Sequence, residues 1–175
     1  MKAFRIIIGI LLILLAIFFM GGLLLPRTYS ISRSILINAP DSVVFINVAD
    51  FNNFLIWNPW TKMEPSASVT ISGTPAVPGH LWEWEGDKTG QGEMEIKETK
   101  PYSLVAYELT FKEPFESSAN TMFTFEKTAG GTLVVWAMSG EAKSIGDRWM
   151  GISMDMMMDK DFTSGLNSLK KLSEK

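Results

Sequence analysis

The sequence predicts an α+β domain behind a single membrane-spanning helix, and three observations carry that expectation. Ile6 to Leu25 read IIIGILLILLAIFFMGGLLL, an uninterrupted apolar run. Between about residues 69 and 139, short alternating segments are broken at regular spacing by Gly, Pro and Asp, the pattern of an antiparallel meander. From Asp147 onward the apolar residues take up a helical period. The expected architecture is a curved antiparallel sheet of about seven strands, two short helices and a long C-terminal helix, preceded by one transmembrane helix.

The first element is the apolar run. A helix rises ~1.5 Å per residue and the hydrocarbon core is ~30 Å thick, so about 20 apolar residues cross once. Within lipid a backbone must satisfy its own hydrogen bonds, and a helix does so. A cleaved signal peptide is the alternative, with the same basic start, but its apolar region is usually ~7–15 residues and ends at small residues. Here the run closes on Leu23, Leu24, Leu25 and Pro26. A core helix is the third reading, yet this stretch is apolar on every face. Lys2, Arg5 and the terminal amine outnumber Arg27 and Arg33 by one charge, which places the following domain on the non-cytoplasmic side. The division expected is an anchor over 1–27 and a folded domain over 28–175.

Thr28 to Ile37 alternate as a strand with Ile31, Arg33 and Ile35 on one face. Pro40 suits a first helical position and Asp41 the positive end of the dipole, so a helix starts here with Val44, Val48 and Phe51 inward. Asn52 to Trp60 form a second short helix or turn stopped by Pro59. Strands follow at Val69–Ser72, Leu81–Glu85, Gln91–Glu98, Tyr102–Phe111, Ser117–Glu126 and Thr132–Ser139. The last helix, from Asp147 to about Leu172, carries the stripe Met154, Met158, Phe162, Leu166, Leu169 and Leu172, with Asp155, Asp159, Asp161, Lys170 and Lys171 lying elsewhere.

Composition removes several functions. Without Lys2, Arg5 and Arg27, 13 of the 16 basic residues remain against 19 acidic ones, a domain charge of about −6. Neutralising nucleic-acid phosphates takes clustered Lys and Arg, so no nucleic-acid partner is expected. The chain has no cysteine, which removes thiol catalysis, disulfides and Cys-based metal sites. Gly90-Gln91-Gly92 lies between strands and lacks the strand-to-helix setting of a nucleotide loop. Neither a zinc spacing nor a hydrolase elbow is present, and no cofactor is implied.

Arg33-Ser34-Ile35 leading to Ala39-Pro40, then Val44-Phe45, Asp50-Phe51, Trp57-Asn58-Pro59-Trp60, Gly90-Gln91-Gly92-Glu93-Met94 and Met154-Asp155 through Asp161-Phe162, Gly165-Leu166 and Leu169-Lys170 follow one another in a telling order. Over about residues 30–173 the chain resembles the SRPBCC superfamily, the START-like helix-grip domains that include polyketide cyclases and lipid-transfer proteins. It is similar in particular to the membrane-anchored bacterial members. The resemblance implies a helix-grip fold with a cavity between the last helix and the sheet. Members bind lipids, hormones or polyketides, carry out cyclisations, or have no known activity, so the fold does not fix the chemistry.

The candidate ligand residues are those expected on the inner faces. Trp57 and Trp60 flank Pro59, which fixes a turn, and could cap a cavity mouth or staple the short helices to the sheet. Trp82 and Trp84 share one strand face, with Glu83 and Glu85 on the other. Met94, Tyr107, Leu109, Phe123 and Phe125 face inward from neighbouring strands, and Met154, Met158 and Phe162 from the helix. Met150, Met156 and Met157 crowd the same helix, where adaptable thioethers suit either a ligand wall or ordinary packing. Gly151 and Gly165 cost ~1 kcal/mol each relative to Ala in a helix and point to a close approach or a cavity edge.

His80, the only histidine, has no acidic orienter or nucleophile at catalytic spacing, and no catalytic residue is assigned. Glu93, Glu95 and Glu98, or Asp155 with Asp159, could hold a divalent cation but read more simply as solvated faces, so no metal site is assigned. The expected function is a membrane-tethered domain binding a hydrophobic small molecule or lipid, with no protein partner indicated. A cyclase- or dehydratase-like enzyme using the same cavity, drawing on His80, Tyr107, Asn58 or a carboxylate, is one alternative. A ligand-free interaction module is the other.

Overall fold

Period-two alternation becomes one seven-stranded sheet in the computed structural model, which describes residues 2–175. The strands are β1 (Thr28–Ile37), β2 (Ser68–Ser72), β3 (Leu81–Gly86), β4 (Gly90–Lys100), β5 (Leu104–Glu113), β6 (Ser117–Thr128) and β7 (Gly131–Glu141). Every pair is antiparallel, in the order β1-β7-β6-β5-β4-β3-β2. β2 to β7 thus form the expected meander, and β1 returns to pair with β7 from Thr28↔Glu141 to Ile37↔Thr132. Apart from the edge strand β2, the strands bury alternate residues on the face towards the helices, as with Trp82 and Trp84 or Phe123 and Phe125.

The helices are α1 (Lys2–Leu24), α2 (Asp41–Ala49), α3 (Phe51–Trp57), α4 (Pro59–Met63) and α5 (Ile145–Ser173). α1 is long and apolar enough to cross a membrane, and its side chains face outward nearly all round. Two details depart from the sequence reading. Pro40 is the N-cap of α2 and the helix proper begins at Asp41. Pro59 does not merely stop a helix: it opens α4, where the Asn58 side chain accepts from the Trp60 amide. A proline at the start of a helix forfeits no helical hydrogen bond, so the break after Trp57 becomes a third short helix.

α2 and α3 bring Val44, Val48, Phe51, Phe54 and Trp57 onto the sheet, and α5 adds Phe162, Leu166 and Leu169. A capping box of Ser144 and Asp147 starts α5, and the helix then crosses the sheet beside β1. Gly165 permits that crossing: a Cβ there would lie 2.9 Å from the Trp136 ring and 3.2 Å from Pro59. Close approach is thus the explanation of this helical glycine.

Candidate functional site

The residues expected to line a cavity belong to one core cluster on the helix side of the sheet, much of it packed ring on ring. Trp57, Trp82, Trp84, Met94, Tyr107, Phe123, Phe125 and Phe162 are buried, whereas Trp60, Leu109, Met154 and Met158 are half-buried. Phe162 stacks on Trp136 at 4.0 Å, and Trp136 on Phe123 at 4.9 Å. Trp57 meets Phe123 edge to face at 6.0 Å, and Trp82 and Trp84 lie 4.8 Å apart. Such pairs each add ~0.5–1.5 kcal/mol beyond burial, so this part of the interior is stiff. The Trp57 indole donates to the Asn47 carbonyl (2.8 Å) and that of Trp136 to the Thr121 hydroxyl (3.0 Å). The Trp82 indole N–H, the Asn58 amide N–H₂ and the Thr61 hydroxyl are buried without a protein partner.

The polar residues considered for chemistry are engaged by the backbone. His80 is 1 % exposed and stacks on Phe51 at 4.7 Å. Its Nε2 accepts from the Phe51 amide (3.1 Å), and Nδ1 lies 2.9 Å from the Ser72 carbonyl, which only accepts. That pair of bonds defines a neutral imidazole with its proton on Nδ1. Phe51 is the first residue of α3, so His80 satisfies one of the amides that a helix start leaves free, beside the Asp50 carboxylate that accepts from Asn52. The Tyr107 hydroxyl donates to the Val48 carbonyl at 2.7 Å, and burial pushes its pKa well up. Asn58 Oδ1 is taken by the cap of α4.

Glu64 is a residue the sequence reading passed over. Its buried carboxylate accepts from the Thr89 amide (2.9 Å) and hydroxyl (2.8 Å) and from the Lys88 and Asp87 amides (both 3.0 Å). These bonds, the Thr89 amide foremost, hold its pKa below the usual carboxylate range. Glu64 ties α4 to the β3–β4 turn. A lone Glu after a five-residue helix gives no sequence signal for that role.

The other charged clusters also close on themselves. Asp155 and Asp159, expected on a solvated face, are exposed and pair there with Arg33 of β1. Arg33 Nη1 and Nη2 donate to Asp155 at 3.0 and 3.1 Å, and Nε donates to Asp159 at 2.7 Å. The Arg33 guanidinium holds the Asp155 carboxyl below its usual range. Glu93 pairs with Lys112 and Glu95 with Lys97. Among the described residues no group of three or more His, Cys, Asp or Glu is placed to hold a metal ion.

Open space lies elsewhere, where α1 gives way to the domain. A groove of about 220 Å³ runs between the start of β1 and the first turns of α5. Tyr29, Ile31 and Ile152 line it, with Pro26 just after α1 and Arg148 and Asp155 as its charged groups. Gly151 is on its wall, and a Cβ there would meet only Tyr29 Cβ, at 3.7 Å. This second helical glycine is therefore at a cavity edge. Arg148 Nη1 donates to the Gly22 and Leu23 carbonyls (3.2 and 3.4 Å), and its Nε is buried without a protein partner. Burial raises the Tyr29 pKa. A second depression of about 160 Å³ beside β2 and β3 is polar, with Glu83, Glu85 and Lys112 on its walls.

In fold the chain is similar to protein MLL2253 from Mesorhizobium loti, at TM-score 0.60 and 16% identity over 82% of this chain and 95% of that one. A Thermobifida fusca protein aligns at TM-score 0.60 and 20% identity, over 81% and 90% of the two chains. The di-domain ARO/CYC StfQ from the steffimycin biosynthetic pathway aligns at TM-score 0.60 and 10% identity, over 85% of this chain and 51% of its own. At such identities the likeness is one of fold. No curated protein matches the chain. A match to the family described as polyketide cyclase/dehydrase and lipid transport runs over residues 28–174, nearly the whole of the domain, and the chain belongs to that family.

Proposed function

We propose that this protein is a membrane-tethered domain that binds a hydrophobic small molecule or lipid between α5 and the sheet, on the non-cytoplasmic side. The groove between β1 and α5 is the observation that carries the reading, because it opens beside the end of the apolar helix α1. Its volume of about 220 Å³ is below the ~300–1,000 Å³ of ordinary small-molecule sites. A site of that size takes one chain or ring of an amphiphile and leaves the remainder outside. Tyr29, Ile31 and Ile152 suit the apolar part, and Arg148 suits a polar end.

Of the twelve inner-face residues singled out, Trp60, Leu109, Met154 and Met158 are the half-buried ones. Thioethers repack at low cost, so Met154 and Met158 are the side chains that would yield to a larger guest. The buried rings behind them are the rigid floor. A cyclase or dehydratase reading would draw on His80, Tyr107, Asn58 or a carboxylate; backbone groups engage His80, Tyr107 and the Asn58 Oδ1, which leaves the Asn58 amide N–H₂ as the unpartnered group of those three residues.

The test is native mass spectrometry of the full chain released from mild detergent, with organic extraction of bound molecules, for wild type and Gly151→Phe. A stoichiometric apolar ligand in the wild type that is lost in the variant, with melting unchanged, is the expected result. An empty wild type that also fails to take up fluorescent lipid probes refutes the reading.

A further inference from the structure

The outward face of α5 changes character halfway along. From Lys160 on it is ordinary, with Thr163, Asn167 and Lys171 exposed and Phe162, Leu166 and Leu169 inward. Before that it is more apolar. Met154 and Met158 pack inward, Asp155 and Asp159 stay exposed where they meet Arg33 of β1, and Arg148 turns to the end of α1, while Met150, Ile152, Met156 and Met157 stand outward. Met156 is 83 % exposed and Met157 60 %. Five of the nine residues from Trp149 to Met157 are exposed and apolar, with the exposed Ser153 and Asp155 among them, a denser set than the scattered exposures any surface shows.

This patch adjoins α1. Trp149 stacks on Phe18 at 6.2 Å, and its indole donates to the Phe18 carbonyl at 3.1 Å. Gly21 and Gly22 form the notch that admits it. A Cβ on Gly21 would lie 2.9 Å from the Trp149 ring, and one on Gly22 would overlap Ile145 and come within 3.0 Å of the indole nitrogen. α5 is therefore seated against the backbone of the last two turns of α1. Strand register brings a further apolar group to this end of the sheet. Thr28 pairs with Glu141, Gly140 with Ala119 and Ser117 with Phe111, so the β5–β6 turn lies here, and its Phe115 is exposed.

We infer that the first half of α5, Trp149 to Met157, is a second membrane element, lying in the interface of the bilayer that α1 crosses. The inference rests on the tether proposed above. The lipid surface is its one occupant. α1 carries its apolar face out of the hydrocarbon directly onto that of α5, and a Trp at the junction suits the boundary level. Attraction to anionic lipid contributes nothing, because the domain is net acidic and the patch carries no cluster of Lys or Arg, so burial of apolar side chains carries the contact. An interfacial helix buries its apolar face ~5–10 Å into the headgroup boundary. The groove lined by Gly151 and Ile152 then opens at lipid level, so an amphiphile can pass into it without crossing water.

The full chain has no native cysteine, which suits single-site labelling. Leu14→Cys in α1, Met150→Cys and Met157→Cys in α5, and Thr163→Cys on the charged half would each carry an environment-sensitive fluorophore. The chains are reconstituted in phosphatidylcholine vesicles with or without doxyl-labelled phosphatidylcholine. Expected are blue-shifted emission and doxyl quenching at positions 14, 150 and 157, with shallow-doxyl lipid the stronger quencher at 150 and 157, and neither effect at 163. Quenching at 14 with water-exposed labels at 150 and 157 overturns the inference and leaves the tether standing. Labels at 150 and 157 shielded from water yet untouched by doxyl lipid put a second copy or another protein on this face, and overturn it as well. No quenching at 14 removes the tether and the inference together.

Discussion

Replacing His80 by Phe tests whether the lone histidine is a structural brace. Phenylalanine keeps a flat ring against Phe51, where the stacking distance is 4.7 Å, and so retains most of the packing. It removes both hydrogen bonds, leaving the buried Phe51 amide without its acceptor beside a ring that is 1 % exposed, and the carbonyl of the exposed Ser72 to water. A buried group left unsatisfied costs ~1–3 kcal/mol, and at ~2–4 °C per kcal/mol for a domain of this size Tm falls by roughly 2–12 °C. The assay is thermal unfolding of the full chain in mild detergent, followed by near-ultraviolet circular dichroism, where the clustered indoles report on packing. A fall of less than about 2 °C would refute the reasoning, because it would mean that water or relaxation satisfies the Phe51 amide at no cost.

Phe162→Ala removes a fully buried ring stacked at 4.0 Å on Trp136 and should cost about 3–5 kcal/mol, with loss of near-ultraviolet signal, measured by urea unfolding. Glu64→Gln bears on acid stability. The folded carboxylate titrates below the usual range, so its stabilisation is complete above the unfolded pKa and is lost as pH falls through the lowered folded value. The variant should therefore be less stable at neutral pH and lose less on acidification, as denaturant midpoints across pH would record. Arg33→Met should move Tm little, since exposed ion pairs contribute little. It should still speed amide hydrogen exchange in the first half of α5, where Asp155 and Asp159 lose their partner. Gly22→Val should unseat Trp149 from α1, seen as a red-shifted tryptophan emission, with the sheet unaffected.

Elements were legible in the sequence because each rests on local periodicity. The bounds of β1 are those read from TYSISRSILI, since alternation, Pro26 before and Pro40 after mark both its ends. The apolar stripe placed Phe162, Leu166 and Leu169 in the core, and the inner-face residues did join one cluster on the helix side of the sheet. Which of them pack solidly and which stay half-buried could not be read there. That depends on the distance between sheet and helix, set by Gly165 against Trp136 and by the stacking of rings from four elements. The five clustered methionines show the same limit: Met154 and Met158 turn inward, while Met150, Met156 and Met157 face out. A period says which residues share a face but not what that face meets.

The sequence by itself determined the apolar helix, the meander, the closing helix and their order, because hydrophobic periodicity and turn chemistry are properties of neighbouring residues. Only the tertiary structure decided that His80 caps a helix, that Glu64 holds a turn, that Arg33 clamps Asp155 and Asp159, and that space opens between β1 and α5. Each of those joins residues far apart in the chain, and their meeting is fixed by the sheet's register and the crossing of α5, which no local pattern encodes.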